Sequence, residues 1–426
     1  MTESFLAYLW QFQQFDRADL RTQQGAPLQV IHPGQPNAHA GADFQNARLR
    51  LGGLDWAGAV EFHLRSSDWY RHHHERDAAY ENVILHVVWL HDAPVRRPDG
   101  TDLPTLALEP RTDARLQQRY TALTTSREPI PCAAQLPAVP DLTKRSMLDK
   151  VLIERLQRKA EEVLALLEAT GGDWDETAHQ VLAGALGFRL NADPMRQLAR
   201  AVPLSLLRKH RGQRLQLEAL LFGAAGYLPE PPGEPYEREL LREADFLLTK
   251  YRLPTRVVGR AAWKFLRLRP NNFPSVRLAQ WAALLDERPH LTTDLLETPA
   301  IEALRQALQA TPSAYWQSHY VFGKTAAQPV PALGETAADS LILNAAVPLR
   351  VAWSRHRDER RYLDSALALL EALPAERNHV VSQYAPLGMR ARAAADSQAL
   401  LELYAGYCTP RQCLRCAVGV GLVRRG

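Results

Sequence analysis

At 426 residues the chain is long for one compact domain, and its length points to about two or three. With 46% hydrophobic and 23% charged residues and no low-complexity tract, it can bury sizeable cores and is not a disordered tail. A net charge of +4, from 51 Lys and Arg against 47 Asp and Glu, excludes a histone-like polycation while leaving room for a local basic groove. No apolar run reaches the roughly 18 to 20 residues that cross a bilayer, and MTESFLAYLWQFQQF has neither a basic start nor a cleavage site. A soluble, cytoplasmic protein without membrane partners is therefore expected.

Residues 1 to 127 read as a mixed α/β domain. SFLAYLWQFQQF places Phe5, Leu6, Leu9, Phe12 and Phe15 near helical spacing. LQVIH, DFQNARLRL, WAGAVEFHL and VILHVVWL are short β-branched and apolar runs broken by PGQPN and GG. Between the last two, WYRHHHERDAAYEN reads as a short polar helix, so the expected order is helix, three strands, helix, strand. Residues 128–143, with EPIPCAAQLPAVPD and Cys132, read as an extended proline-rich connection. From 144 to 330 the period turns helical. Leu148, Leu152, Leu156, Val163 and Leu167 share a face before Gly171, and further helices are expected near 176–188, 194–210, 213–226, 236–251, 255–269, 275–287 and 299–310. A last helical segment, 331–426, ends in a cysteine cluster, and no regular repeat is present.

The chemistry begins with three residues near the N-terminus. Asp43 opens a predicted strand, and Glu61 and His63 lie two apart on the next, so alternation puts them on one face and Phe62 on the other. If the two strands are neighbours, Asp43 and Glu61 converge on one divalent ion, and two carboxylates with a carbonyl and water suit Mg²⁺ or Mn²⁺. An ion so held can activate water against a phosphodiester. An Asp opening one strand and Glu-x-basic on the next resembles the PD-(D/E)XK nuclease core, over residues 1 to about 92. The resemblance implies Asp43 and Glu61 as metal ligands, Glu3 on the first helix as a further acid, and the residue at His63 as the group that positions water. This chain departs from the pattern: His63 stands where Lys is expected, and no lysine precedes Lys144. A neutral His can accept a proton or bind metal but supplies no permanent positive charge.

Eight of the fourteen histidines fall between His32 and His91, among them the run His72, His73 and His74. On a helix His73 and Asp77 share a face, as do Arg76 and Tyr80, which makes His73, Asp77 and Tyr80 an accessory polar surface. His86, inside VILHVVWL, is expected to be partly buried. The same region offers an alternative, a zinc hydrolase site from His63, His73, Asp77 and His86, although no HExxH spacing supports it.

Across its whole length the chain resembles a bacterial family known as a domain of unknown function and common in the Bacteroidetes. The resemblance rests on GADFQNARLRLGGLDWAGAVEFHLRSSDWYRHHHERDAAYENVILHVVW, LRPNNFPSVRLAQWA and DSQALLELYAGYCTPRQCLRCAVG. It implies that the histidine block and the cysteine tail belong to one architecture, and it carries no activity.

Cys408, Cys413 and Cys416 supply three thiols within nine residues, and the only other cysteine is Cys132. Three are one short of a closed tetrahedral site, so the inference is a four-cysteine site for zinc or a [4Fe-4S] cluster. The arrangement is similar in logic to the iron-sulfur staple of RecB-like nucleases, though there the lone Cys precedes the nuclease motifs and here Cys132 follows them. Arg411 and Arg415 stand beside the thiols to offset their charge.

Between Phe246 and Leu285 no acidic residue occurs, while Arg256, Arg260, Lys264, Arg267 and Arg269 all fall inside. On a helix starting near Thr255 the first four line one face, an electrostatic footprint for DNA or RNA, with Trp263, Asn272 and Phe273 at hand for base contacts. The expected protein is thus an α/β domain with a PD-(D/E)XK-like core followed by a mainly α-helical region. Its expected function is metal-dependent cleavage of nucleic acid. The alternative from another class is a non-catalytic nucleic-acid-binding or scaffold protein on a degenerate nuclease fold. No GxxxxGK[ST] loop is present.

Overall fold

The computed structural model describes residues 1–37, 39–253 and 257–424. The chain divides into two units: 1–147 with 387–389 and 403–426, and 148–386 with 390–402.

The first unit is a mixed sheet with helices. Helix α1 (Glu3–Gln11) starts at Thr2, whose hydroxyl accepts from the Phe5 amide, and buries Phe5, Leu6, Leu9 and Trp10. Strands β1 (Leu28–His32), β2 (Gln35–Pro36), β3 (Phe44–Leu51) and β4 (Leu54–Arg65) follow. Gly52 and Gly53, at φ 58° and 89°, close the β3–β4 hairpin, with Leu51 opposite Leu54, because a two-residue turn of this hand needs positive φ at both centres. Then come a single helical turn α2 (Asp68–Arg71), β5 (Val83–Leu90), β6 (Thr105–Ala107) and helix α3 (Ala114–Thr124). The sheet order is β1-β3-β4-β5-β6, with β2 also on β3; β1, β3 and β4 pair antiparallel, whereas β4, β5 and β6 pair parallel. The expected first helix, three strands and final strand are present, with β2 and β6 added, while the second helix is reduced to the single turn α2. Gly58 lets β5 close on β4, since a Cβ there would meet Asn82 O at 2.5 Å.

β4 is buried on both faces from Ala59 to His63. Val60 and Phe62 enter a core with Phe5, Trp10, Phe44 and Leu85, which also takes in Cys413 and Val423 from the end of the chain. Ala59 joins a smaller cluster around Trp69, Val83 and Leu103. The connection at 128–141 is not extended: the Cys132 carbonyl accepts from the amides of Gln135 (3.0 Å) and Leu136 (2.8 Å), folding it into turns.

The second unit is mainly helical, with a core that includes Leu182, Leu220, Trp281, Trp316 and Leu349. Helices at Trp174–Leu186, Arg214–Ala224, Pro235–Lys250, Pro274–Glu287 and Ile301–Leu308 lie close to their expected places. The helix expected at 194–210 is split into Phe188–Ala201 and Leu204–Leu207, because Pro203 has no amide hydrogen to continue it. The helix expected at 255–269 is absent among the described residues: Gly259 is extended (ψ 144°), Asn191 takes both the amide and the carbonyl of Lys264, and Arg267 is left-handed at φ 65°. Side-chain competition for the backbone has replaced the helix by a pinned loop. Among the described residues no helix is long and apolar enough to cross a membrane.

Candidate metal centre

Glu61 and His63 leave the same face of β4, and strand pairing sets what surrounds them. Asp43, just before β3, lies across from Glu61. Its amide donates to Glu61 Oε2 (2.9 Å), and its own Oδ2 accepts from the Phe62 amide (3.1 Å). The two carboxylates are thereby each held by backbone from the other's strand. On the other side β5 puts His86 opposite Glu61, and His86 Nε2 meets His63 Nδ1 at 2.8 Å. One imidazole nitrogen of His63 is thus tied to a buried neighbour, which fixes the ring so that Nε2 faces the cluster.

The third wall comes from the histidine run, in a way its sequence did not indicate. α2 is anchored by Asp68, which accepts from the Arg65 amide, and by Asp92, which accepts from Ser66 Oγ and from the amide and hydroxyl of Ser67. It lasts one turn. His73 then adopts φ 60°, and short turns follow at His74–Arg76 and Ala78–Tyr80. The expected polar helix is therefore broken at His73, and His73 and Asp77 do not share a helical face. The His73 side chain is 72% exposed, while Asp77 caps the turn at the Ala79 amide. The neighbours of His73 reach the cluster instead: His72, itself exposed, has Nδ1 3.0 Å from His63 Nε2, and His74 Nε2 lies 3.5 Å from Glu61 Oε1. Ligand atoms of His63, His72 and His74 all fall within 4.8 Å of one another. Tyr80 stacks on His74 at 3.7 Å, and a cavity of about 510 Å³ opens beside them between Trp69, Asp77 and Arg97.

The charges of this cluster are in conflict. Burial first, then the charges of Asp43 and Glu3, push the Glu61 carboxyl up to about 8. Burial and Glu3 push Asp43 up to about 6. Glu3 is itself raised by burial, against the pull of His72. The imidazoles move the other way: burial, then His74, His72 and Arg71, bring His63 down to about 3, and burial drives His86 well below its ordinary value. Acids that resist ionising and bases that refuse a proton are the pattern of a site short of positive charge that is not a proton. A divalent ion meets both demands, since it holds carboxylates ionised and accepts imidazole lone pairs. The nitrogens of His63, His72 and His74, with Glu61 Oε1 3.5 Å from His74 Nε2 and 3.9 Å from His63 Nε2, form a donor set that fits one. With three nitrogens it suits Mn²⁺ or a later transition ion better than Mg²⁺.

Sequence reasoning missed His72 and His74. Their only signal was the unbroken run of three, and it pointed to His73. Of the alternative zinc set, His63 and His86 touch, whereas His73 and Asp77 stand apart from them in the turns above.

In the second unit Arg260, Lys264, Arg267 and Arg269 are all exposed, and Arg256 lies outside the described residues. They sit on the loop and do not form one helical face. Arg260 packs over Tyr227 at 5.4 Å. Trp263 is buried with its Nε1 donating to Ala225 O, and Arg277 is buried against Asn272 and Gln280.

Together these features define a two-unit protein whose mixed α/β unit carries a carboxylate and imidazole cluster on its sheet. Residues 3–379 match the family described as protein of unknown function (DUF2851), and the chain belongs to that family. No curated protein and no solved structure matches it.

Proposed function

We propose that the protein is a metal-dependent nuclease acting on DNA or RNA phosphodiester bonds, with its centre at Asp43, Glu61 and His63. The observation that carries the reading is the reciprocal lock of Asp43 and Glu61 on neighbouring strands, with His63 beside them. Further support comes from the order of elements, α1, three antiparallel strands, α2 and a parallel β5, which is the order expected of a PD-(D/E)XK core.

A bound Mn²⁺ or Mg²⁺ supplies Lewis acidity, for activating water and for offsetting charge on the leaving oxygen. Asp43 and Glu61 would hold it, and Glu3 would add negative charge at its edge. His63 remains neutral through the physiological range, where a lysine would offer a cation. It would therefore serve as a metal ligand or help to orient the attacking water, and the positive charge a phosphate needs must come from elsewhere. Arg260, Lys264, Arg267 and Arg269 are the residues we assign to backbone binding.

The test is a cleavage assay on labelled single-stranded and duplex DNA and RNA with Mn²⁺, Mg²⁺ or EDTA, beside Glu61→Gln. Cutting that requires metal and disappears in the variant is the expected result. Salt-sensitive binding with no cutting under any condition would overturn catalysis in favour of a nucleic-acid-binding protein on a degenerate core. One observation favours a second reading, a zinc-dependent hydrolase of another substrate: the close approach of the His63, His72 and His74 nitrogens. Tight zinc lost with His74→Ala, together with inertness toward every nucleic acid, would select it.

A further inference from the structure

The first unit also holds all four cysteines of the chain, and none of them belongs to the centre described above. Cys408 ends a wide helical turn at Tyr404–Cys408, Cys413 opens a short turn at Cys413–Arg415, and Cys416 immediately precedes the terminal helix Ala417–Arg424. All three are buried. Cys132 comes from the folded connection, and it packs on the same core that Cys413 enters.

Several contacts bring these segments together. Arg411, left-handed at φ 59°, spans them: its Nη1 donates to Cys408 O (2.7 Å) while its Nη2 donates to Ser126 O and Glu128 O (both 3.0 Å). The Cys416 amide donates to Cys413 O, and the turn is so tight that a Cβ on Gly419 would meet Cys413 O at 2.1 Å. The terminal helix is seated in turn, with Arg119 Nε donating to Val423 O (2.8 Å) and Arg424 lying 4.3 Å over the Phe12 ring.

We infer that Cys132, Cys408, Cys413 and Cys416 bind a thiophilic metal centre, a zinc ion or an iron-sulfur cluster, through four thiolates. Either centre takes four sulfurs in tetrahedral array, and only soft donors are offered here. Loading with Zn²⁺ breaks four S–H bonds and forms four Zn–S bonds; four protons leave to solvent and no electron is transferred. An assembled cluster arriving from a thiolate-bearing carrier exchanges the carrier's sulfurs for these four, again without net redox change. The role is a clasp: it fixes residues 403–424 to the 126–136 connection and so closes the core that Cys413 and Val423 complete. Arg411 supplies compensating positive charge at its edge.

The experiment measures zinc, iron and acid-labile sulfide in full-length protein purified anaerobically without a metal-affinity tag, beside Cys132→Ser and the double variant Glu61→Gln/His63→Ala. We expect either about one zinc or iron with matching sulfide, retained in the double variant and lost from Cys132→Ser. Zinc identifies a single ion, and iron with sulfide a cluster. If Cys132→Ser fails to fold, the same question is put to the wild type by alkylation: the thiols should react only after a chelator strips the metal, and trypsin should then release the C-terminal segment. Wild-type protein with neither metal, or thiols that react equally fast with and without chelator, overturns the inference. No arm reads cleavage, so the inference stands or falls separately from the nuclease proposal.

Discussion

Replacing Glu61 by Gln should stabilise the metal-free protein at alkaline pH, although it removes a residue assigned to the centre. The side chain is only 8% exposed, and its carboxyl is raised from 4.5 to about 8 by burial and by Asp43 and Glu3. A carboxyl whose folded value exceeds its unfolded value costs nothing below about pH 4.5, where it is neutral in both states, and costs progressively more as pH rises to 8. Each tenfold change in proton affinity is about 1.4 kcal/mol, which sets an upper bound near 5 kcal/mol; relaxation of the site brings the expectation to about half of that. The amide that Glu61→Gln introduces keeps an oxygen to accept from the Asp43 amide, so the fold loses no hydrogen bond. Thermal unfolding in EDTA at pH 5 and pH 8.5 is the assay. The variant should match wild type within about 1 kcal/mol at pH 5 and exceed it by about 2 to 3 kcal/mol at pH 8.5, or several degrees in midpoint. With Mn²⁺ or Zn²⁺ the order should reverse, since only wild type offers the second carboxylate. A variant that is no more stable than wild type at pH 8.5, or a difference that does not change with pH, would refute the account of the site's electrostatics.

Within the histidine run, His74→Ala should weaken Mn²⁺- or Zn²⁺-induced thermal stabilisation by more than about tenfold in apparent affinity, while His73→Ala leaves it unchanged; equal effects would show that the turn at His73 does not sort the two. In the second unit Glu218, fully buried and accepting from the Tyr236 hydroxyl at 2.7 Å, is raised to about 7, so Glu218→Gln should gain up to about 3 kcal/mol over wild type between pH 5 and pH 8.5, read by urea denaturation. Substituting Ala at Arg260, Lys264 and Arg269 together should reduce nucleic-acid affinity and lower the slope of log affinity against log salt by about 2 to 3, measured by fluorescence anisotropy. An unchanged slope would remove these residues from the proposed interface.

Asp43, Glu61 and His63 could be found in the sequence because a period of two decides which side chains share a face of a strand, and the glycine pair between β3 and β4 decides which strands are neighbours. Glu3 also joins them electrostatically, as its effect on both carboxyls shows. His72 and His74 could not be found this way. Their convergence depends on His73 entering the left-handed region with no glycine to announce it. The basic loop misled for a related reason: the spacing of Arg256, Arg260, Lys264 and Arg267 fits a helix, but Asn191, 73 positions before Lys264, takes the backbone groups of Lys264 that a helix would use. Local pattern carries no record of such distant competition. The cysteine segments were legible only as a count of thiols, and the folding of the connection around the Cys132 carbonyl was not.

Because Cys413 and Val423 complete the core around α1 and β4, residues that leave the ribosome well before them are among the last to be enclosed. About 350 residues are made between the end of β4 and Cys413, which at about 5 to 20 residues per second leaves the N-terminal sheet incomplete for about 17 to 70 seconds. During that interval Phe5, Trp10 and Phe62 lack part of their covering. A chain cut short before residue 403 would keep every proposed catalytic side chain and still lack the material that seals the domain holding them.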